Sequence, residues 1–511
     1  MNTLVETYQA LVLKELKEKL EPKGWNFEDP TTYLSEKDLI NSYFIRDLIN
    51  KGLLIRYRYG FRTAHADLLY RLTKIRYFRN REPIPLERDF SVIEEQVPDF
   101  GAYSLINILR LSNIPETDSL LIENAIKAGD TNFNGLSTYQ AKYLESILKG
   151  VARYFSVVAP TASGKSLIFF IPILVSALQR LRERKPGTAS IIMYPRKALA
   201  TDQIQRFLRA IDFLNQKISN KLTIAIDDSD TLKIERKLRE RESIEFRGLT
   251  CPRSNEFSEK VCGHKLLLYN NGTIKCEMGH SFEYIVARRR DIVERKPMIL
   301  VTNIWRAYYM MLKRNEVNLL QNIDILVMDE SHVYTGYKGG HIALVLQLLR
   351  YLSSLNQEDH LTKFIFSSAT ISNPKQFISS LAGISEEELF YQDYAKLTPF
   401  TSKKRLLIYV YLLPSPRESA ETLAEAIIEA VNLWNHKYGF KAIAFADSVS
   451  TVTTFLSYFH DTILSSKREA REIIDHVFDN NILLNNPDDD YSWYTLTPLF
   501  TEKEALKKFL L

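Results

Sequence analysis

The sequence predicts an α/β fold with a parallel sheet behind a helical domain, and three observations carry that reading. Short apolar runs alternate with helical patterns from residue 155 to residue 366, which is how βαβ units are written. The run 155–158 enters the loop Ala159-Pro160-Thr161-Ala162-Ser163-Gly164-Lys165-Ser166, and a helical pattern follows at 167–174, giving strand, phosphate-binding loop and helix. A later run, 323–328, ends in Asp329-Glu330-Ser331-His332, paired acids at a strand tip.

At 511 residues the length allows about three domains, each able to bury its own core. With 45% hydrophobic and 25% charged residues, the composition excludes a disordered or low-complexity chain. A net charge of +5 is compatible with nucleic acid without arguing for it. No apolar run reaches the roughly 18 residues of a membrane span, and the charged amphipathic start is not a signal peptide, so a cytoplasmic protein free of the membrane is expected. Three cysteines are too few for a disulfide framework.

Residues 1–130 read as a helical accessory domain, with apolar helical spacing at 11–20 and 68–78 and a capping-box pattern at Ser35-Glu36-Lys37-Asp38. Within it, 56–81 mixes Arg56, Arg58, Arg62 and five further cations with tyrosines and phenylalanines. Such a mixture suits a nucleic-acid backbone with stacked bases, or a solvated helix face over aliphatic core. After a linker at 129–135, Gln140 precedes a helical run. A glutamine just upstream of a phosphate loop can pair bidentately with an adenine edge, and Tyr139 could stack on the ring.

Beyond the loop, the strand 189–194 breaks at Pro195 and is followed by Arg196 and Lys197, a phosphate-contacting turn at the sheet's carboxyl edge. Further strands are expected at 222–227, at 297–303 ending in Thr302-Asn303, and at 364–366 ending in Ser367-Ser368-Ala369-Thr370. Parallel sheets keep their sites at the carboxyl ends of the strands, where all these turns fall.

These turns, in this order, resemble motifs I, Ia, Ib, II and III of superfamily 2 helicases of the DExH class, over about residues 136–450. Within that superfamily the stretches around 194–203 and 329–336 look like bacterial and archaeal DEAD/DEAH-type helicases with a cysteine-bearing insertion, some of which serve phage defence. The resemblance implies a RecA-like lobe at 131–398. It implies ATP bound at the 159–166 loop, with Lys165 and Ser166 holding phosphate and Mg²⁺, Asp329 completing the Mg²⁺ site, Glu330 polarising the attacking water, and adenine read by Gln140. His332 and the turn Ser368-Ala369-Thr370 would couple nucleotide state to movement, while Arg196, Lys197, Thr302 and Asn303 would contact a nucleic acid, DNA ahead of RNA.

Residues 228–296 form a segment that this lobe does not need, opening with a charged helix at 233–247. It holds Cys251, Cys262, Cys276 and His280, with His264 as another nitrogen donor; three sulfurs and an imidazole match the tetrahedral preferences of zinc. Unliganded buried thiols are the other reading. The run Arg288-Arg289-Arg290 reads equally as a solvated helix face or a phosphate contact.

A second RecA-like lobe is expected to begin at 399–511, with a motif IV pattern at 441–448. The resemblance then calls for a Gly-Arg motif whose arginines stabilise charge on the transferring phosphoryl group, yet no Gly-Arg dipeptide occurs and no glycine follows Gly439. The expectation is an ATP-dependent helicase or translocase subunit with an incomplete second lobe, which a partner chain completes. The alternatives are an ATP-dependent nucleic-acid-binding regulatory subunit or a prematurely ended product.

Overall fold

Apolar strands with neighbours on both faces organise the molecule. The computed structural model describes residues 4–39, 44–70, 87–96, 98–160, 163–195, 197–238, 242–253, 261–353, 361–369, 371–397 and 404–412. The chain divides into two units, Met1–Glu95 with Lys404–Leu511, and Gln96–Lys403.

The first unit is less uniformly helical than its sequence suggested. Helix Leu4–Leu13 packs near a hairpin of β1 (Leu54–Tyr57) and β2 (Gly60–Thr63), and β3 spans Glu87–Gln96. Arg62 is fully buried, its guanidinium carbon 4.1 Å from the Tyr33 ring centroid and 5.1 Å from those of Phe27 and Tyr70. That arginine is a core residue satisfied by rings, which corrects the nucleic-acid reading at this position. Arg56, Arg58 and Tyr59 are exposed. Residues 71–86, with the remaining cations of that mixture, lie outside the described residues.

The second unit carries an eight-stranded parallel sheet. In chain order its strands are β4 (Tyr154–Val158), β5 (Ser190–Met193), β6 (Ile224–Ile226), β10 (Ile285–Val286), β11 (Ile299–Thr302), β12 (Ile325–Met328), β13 (Lys363–Ser368) and β14 (Leu389–Tyr391). Across the sheet they run β10-β6-β11-β5-β12-β13-β4-β14. Alternate residues feed two cores: Phe155, Ile192, Val301 and Val327 point to one face, Met193, Leu300, Leu326 and Phe366 to the other. Helices Leu105–Leu111 and Glu116–Gly129 bury Leu105, Ile108, Ile122 and Ile126 in the first of these cores. The unit therefore begins at Gln96, upstream of the boundary near 130 that the sequence suggested.

Between β6 and β10 lies the insertion: helix Ser229–Leu238, then β7 (Ser243–Thr250), β8 (Lys265–Tyr269) and β9 (Ile274–Cys276) in an antiparallel sheet. The expected charged helix at 233–247 stops at Leu238, because Phe246 and Leu249 are drawn into the core as strand residues. Arg288 pairs with Asp291 and Arg289 with Asp227, so of that run only Arg290 remains exposed without such a partner among the described residues. Strand β15 (Lys404–Leu412), expected to open a second lobe, pairs with β3. Residues 413–511, including the motif IV pattern at 441–448, lie outside the described residues. Among the described residues no helix is long and apolar enough to cross a membrane.

One buried charge network fixes the end of β6 against β11. Asp227 is fully buried and accepts from Arg289 Nη2 at 2.9 Å and from Arg306 Nε at 2.9 Å; its carbonyl accepts from Thr302 Oγ1 at 2.6 Å. Arg306 Nη2 also lies 2.5 Å from Glu316 Oε2. Removing one partner of a buried pair leaves the others charged and unpaired. Asp227→Ala should therefore cost about 3–5 kcal/mol in denaturant-induced unfolding of this unit, far more than an exposed pair such as Lys149–Glu145.

Candidate nucleotide and metal sites

The loop after β4 closes on Gly164, which caps helix Lys165–Glu183 with φ at +75°, a left-handed conformation that glycine adopts at no steric cost. Lys165 is turned into the loop: Nζ donates to Ala159 O at 2.7 Å and Pro160 O at 2.9 Å. Burial lowers its affinity for a proton, and the charges of Glu330 and Asp329 oppose that shift. Ser163 is buried with its hydroxyl unpartnered among the described residues. Thr161 and Ala162 lie outside the described residues.

Strand β12 delivers the acids opposite. Asp329 is 8% exposed, its Oδ1 accepting from Glu330 N at 3.0 Å, and burial, reinforced by the Glu330 charge, pushes its carboxyl above the usual range. Glu330 takes φ of +51°, a strained conformation for a glutamate at a strand end. His332 Nδ1 lies 3.3 Å from Glu330 Oε2 and 3.3 Å from Ser368 Oγ, bridging the acids to the end of β13. The Ser368 carbonyl accepts in turn from Ala159 N at 3.3 Å, so one residue touches both the phosphate loop and the histidine. Ala369 follows at the strand end, and Thr370 lies outside the described residues.

Lys165, Ser166, Ser163, Gly164, Asp329 and Glu330 line one cavity of about 630 Å³. Phe100, 44% exposed, stands at its wall together with Gln203 and Arg206. Sequence reading missed Phe100 and Arg206, and Phe100 sits in an irregular stretch forty positions before Gln140; Gln203 closes the 194–203 stretch that carried the resemblance. Gln140 forms a capping box with Ser137, its Oε1 accepting from Ser137 N at 2.8 Å, while Nε2 donates to Gly164 O at 2.9 Å. Tyr139 is buried and donates its hydroxyl to Val158 O at 3.1 Å, so it cannot stack on a ligand ring; that expectation is corrected.

Of the residues expected to meet a nucleic acid, Thr302 is buried and committed to Asp227 O, and Asn303 caps helix Ile304–Met311 by accepting from Arg306 N at 2.9 Å. Lys197 opens helix Lys197–Lys217, and Arg196 lies outside the described residues.

In the insertion, Cys251, Cys262, Cys276 and His280 bring their ligand atoms within 4.8 Å of one another. His280 Nδ1 is 3.5 Å from Cys251 Sγ and 3.3 Å from Cys276 Sγ. Bond lengths of about 2.0–2.3 Å at a tetrahedral zinc set ligand separations of about 3.5–3.8 Å, close to these values, so the donor set fits. His264 faces Cys262 from the solvent side and is outside the four-residue group.

A phosphate loop after β4, an acid pair at the tip of β12 two strands away and a parallel sheet ordered this way define a P-loop nucleotide-binding lobe of RecA-like architecture. Residues 137–247 and 265–377 match the family model of the DEAD/DEAH box helicases. The break in the match falls inside the insertion. The chain is 24% identical to the Druantia protein DruE of Escherichia coli, over 61% of this chain and 19% of that protein. It is 25% identical to the ATP-dependent helicase HRQ1 of Saccharomyces cerevisiae, over 58% of this chain and 22% of that one. The chain thus spans about a fifth of the length of these relatives. A solved structure of the DUF1998 helicase MrfA bound to DNA superposes with a TM-score of 0.47 at 20% identity, covering 78% of this chain and 47% of that one.

A Cβ on Gly164 would lie 2.3 Å from Gln140 Nε2 on top of the left-handed backbone. Gly164→Ala should weaken ATP binding about tenfold or more. Adding Gln140→Ala removes the collision but not the strain, so titration with a fluorescent ATP analogue should find only part of the affinity restored.

Proposed function

We propose that this chain is an ATP-dependent helicase or translocase subunit that binds ATP with Mg²⁺ in the cavity between the 159–166 loop and β12. The observation that carries the reading is the convergence of Lys165, Ser166, Asp329 and Glu330 on that one cavity. On binding, Lys165 exchanges the Ala159 and Pro160 carbonyls for β- and γ-phosphate oxygens, and the unpartnered Ser163 hydroxyl and the loop amides add donors. Ser166 and Asp329 would hold Mg²⁺, which neutralises charge on the transferring phosphoryl group. Glu330 orients the attacking water, and His332, placed between Glu330 and Ser368, passes the state of the phosphates to the neighbouring strand end. Charge-stabilising arginines enter from outside this lobe.

Nucleic acid binds at the carboxyl ends of β5 and β11, where Arg196 and Lys197 and the Thr302-Asn303 turn lie. The buried Thr302 acts by shaping that turn and not by direct contact. A regulatory subunit with ATP-dependent binding and no translocation is the second reading; strand displacement assayed with and without partner proteins separates the two.

The nucleotide site is tested by two substitutions with different signatures. Lys165→Ala should remove phosphate affinity and lower turnover by several orders of magnitude, whereas Glu330→Gln should abolish turnover and leave ATP binding within a few-fold, because Asp329 still holds Mg²⁺. Equal loss of ATP binding in both variants contradicts these roles.

The insertion is proposed to carry one structural Zn²⁺ on Cys251, Cys262, Cys276 and His280 Nδ1. Metal analysis of protein purified without a metal-affinity tag should find one zinc per chain, retained in His264→Ala and lost in Cys276→Ser. Chelation should raise hydrogen exchange in β7 to β9 while the sheet around Lys165 stays protected.

A further inference from the structure

Helix Ile304–Met311, which follows the Thr302-Asn303 turn, has two faces of opposite character. Ile304, Arg306, Ala307 and Met310 are buried. Trp305 and Tyr309, one turn apart, are 46% and 57% exposed, and Leu312 continues the same stripe at 64%. Nothing among the described residues covers this face. An exposed tryptophan and tyrosine four residues apart leave two large rings in water, which a folded protein rarely keeps without a ligand for them.

Two neighbouring features indicate what the ligand is. The helix is followed by Lys313 and Arg314, both exposed, of which Lys313 pairs with Glu316 at 3.1 Å and Arg314 is the cation left for a ligand, and the helix itself carries no acid, so the stripe suits a polyanion that also offers flat apolar surfaces. Beside Trp305 a cavity of about 310 Å³ opens at the ends of β5, β6 and β11, lined by Pro195, Ser229, Asn303 and Tyr334. Tyr334 is 6% exposed, and its hydroxyl finds no hydrogen-bond partner among the described residues. A buried donor of this kind costs stability unless a ligand or water meets it.

We infer that Trp305 and Tyr309 form a stacking platform for unpaired bases of a single-stranded nucleic acid, with the strand running past the cavity that Tyr334 lines. The inference rests on the nucleic-acid reading above and adds to it a contact with bases, where the Thr302-Asn303 turn and its flanking cations address only the backbone. Stacking requires a π-face and no particular hydrogen-bond pattern, so the platform grips a strand of any sequence. A duplex keeps its bases stacked on one another, so the same platform favours strand over duplex.

The test compares two labelled oligonucleotides of equal length and charge, one with bases and one abasic, binding to the full chain at a fixed salt concentration. Wild type should bind the base-bearing strand more tightly. Trp305→Ala should weaken binding of the base-bearing strand about tenfold and leave the abasic strand unchanged, while Trp305→Phe recovers most of the loss. An equal loss on both strands, or no loss on either, overturns the platform and assigns the face to backbone tracking or to a protein contact. Wild type that binds neither strand overturns the helicase reading itself, a result distinct from binding both strands equally. Unchanged thermal unfolding of Trp305→Ala excludes misfolding as the cause of a loss, since the residue is half exposed and pairs with nothing in the core.

Discussion

A fully buried aspartate at the carboxyl end of β6 holds together one corner of the lobe. Asp227 takes one guanidinium from the helix after the insertion, another from the helix after β11, and a hydroxyl from the end of β11 itself. Its neighbour Asp228 holds Arg247 of β7 at 2.8 Å, so the inserted sheet is tied to the same corner. Charges taken out of water are tolerated only with their full set of partners, and this corner therefore has one low-energy arrangement. The orientation of Asn303, and with it the direction in which Trp305 points, follows from that arrangement and not from hydrophobic packing alone.

The nucleotide edge is built on a different principle. There the groups are held by backbone: Lys165 on two loop carbonyls, Asp329 against a main-chain amide, Glu330 in an unfavourable dihedral region, Ser368 joined to Ala159 through a carbonyl. On the proposed nucleotide reading, a phosphate arriving in the loop would exchange partners with Lys165 and not simply add them, so the net gain would be a difference between two good hydrogen-bonded states. The link from Glu330 through His332 to Ser368 lies on the same chain of contacts, and a rearrangement at the loop reaches β13 within three residues.

Much of this was legible in the sequence because strands buried on both faces leave unbroken apolar runs, and β4, β5, β11, β12 and β13 all do. Strands β10 and β14 were not, since two or three residues give no period to read. The cluster of three cysteines and a histidine was legible from residue type and spacing, although only the fold separates His280 from His264. Tyr139 and Thr302 mark the opposite failure: their chemistry suggested ligand contacts, but a hydroxyl in a core finds a carbonyl first, and the sequence does not say which side of a helix or strand faces that core. Arg62 is the same case with a charge, its guanidinium absorbed by three rings. Residues 243–247 read as the end of a charged helix, and packing against the lobe decided for strand.

The sheet's margins bear on how such a lobe meets anything else. A long flat outer strand presents a row of free amides and carbonyls on which another chain can anneal, but here the outermost strands on the two sides are β10, of two residues, and β14, of three. So short a ladder offers too few hydrogen bonds to template an added strand. Growth of the sheet is thereby discouraged in both directions, which leaves side-chain and loop contacts as the means by which another domain or chain can meet this lobe. Contacts of that kind can form and break as a seam of continuous β-structure could not.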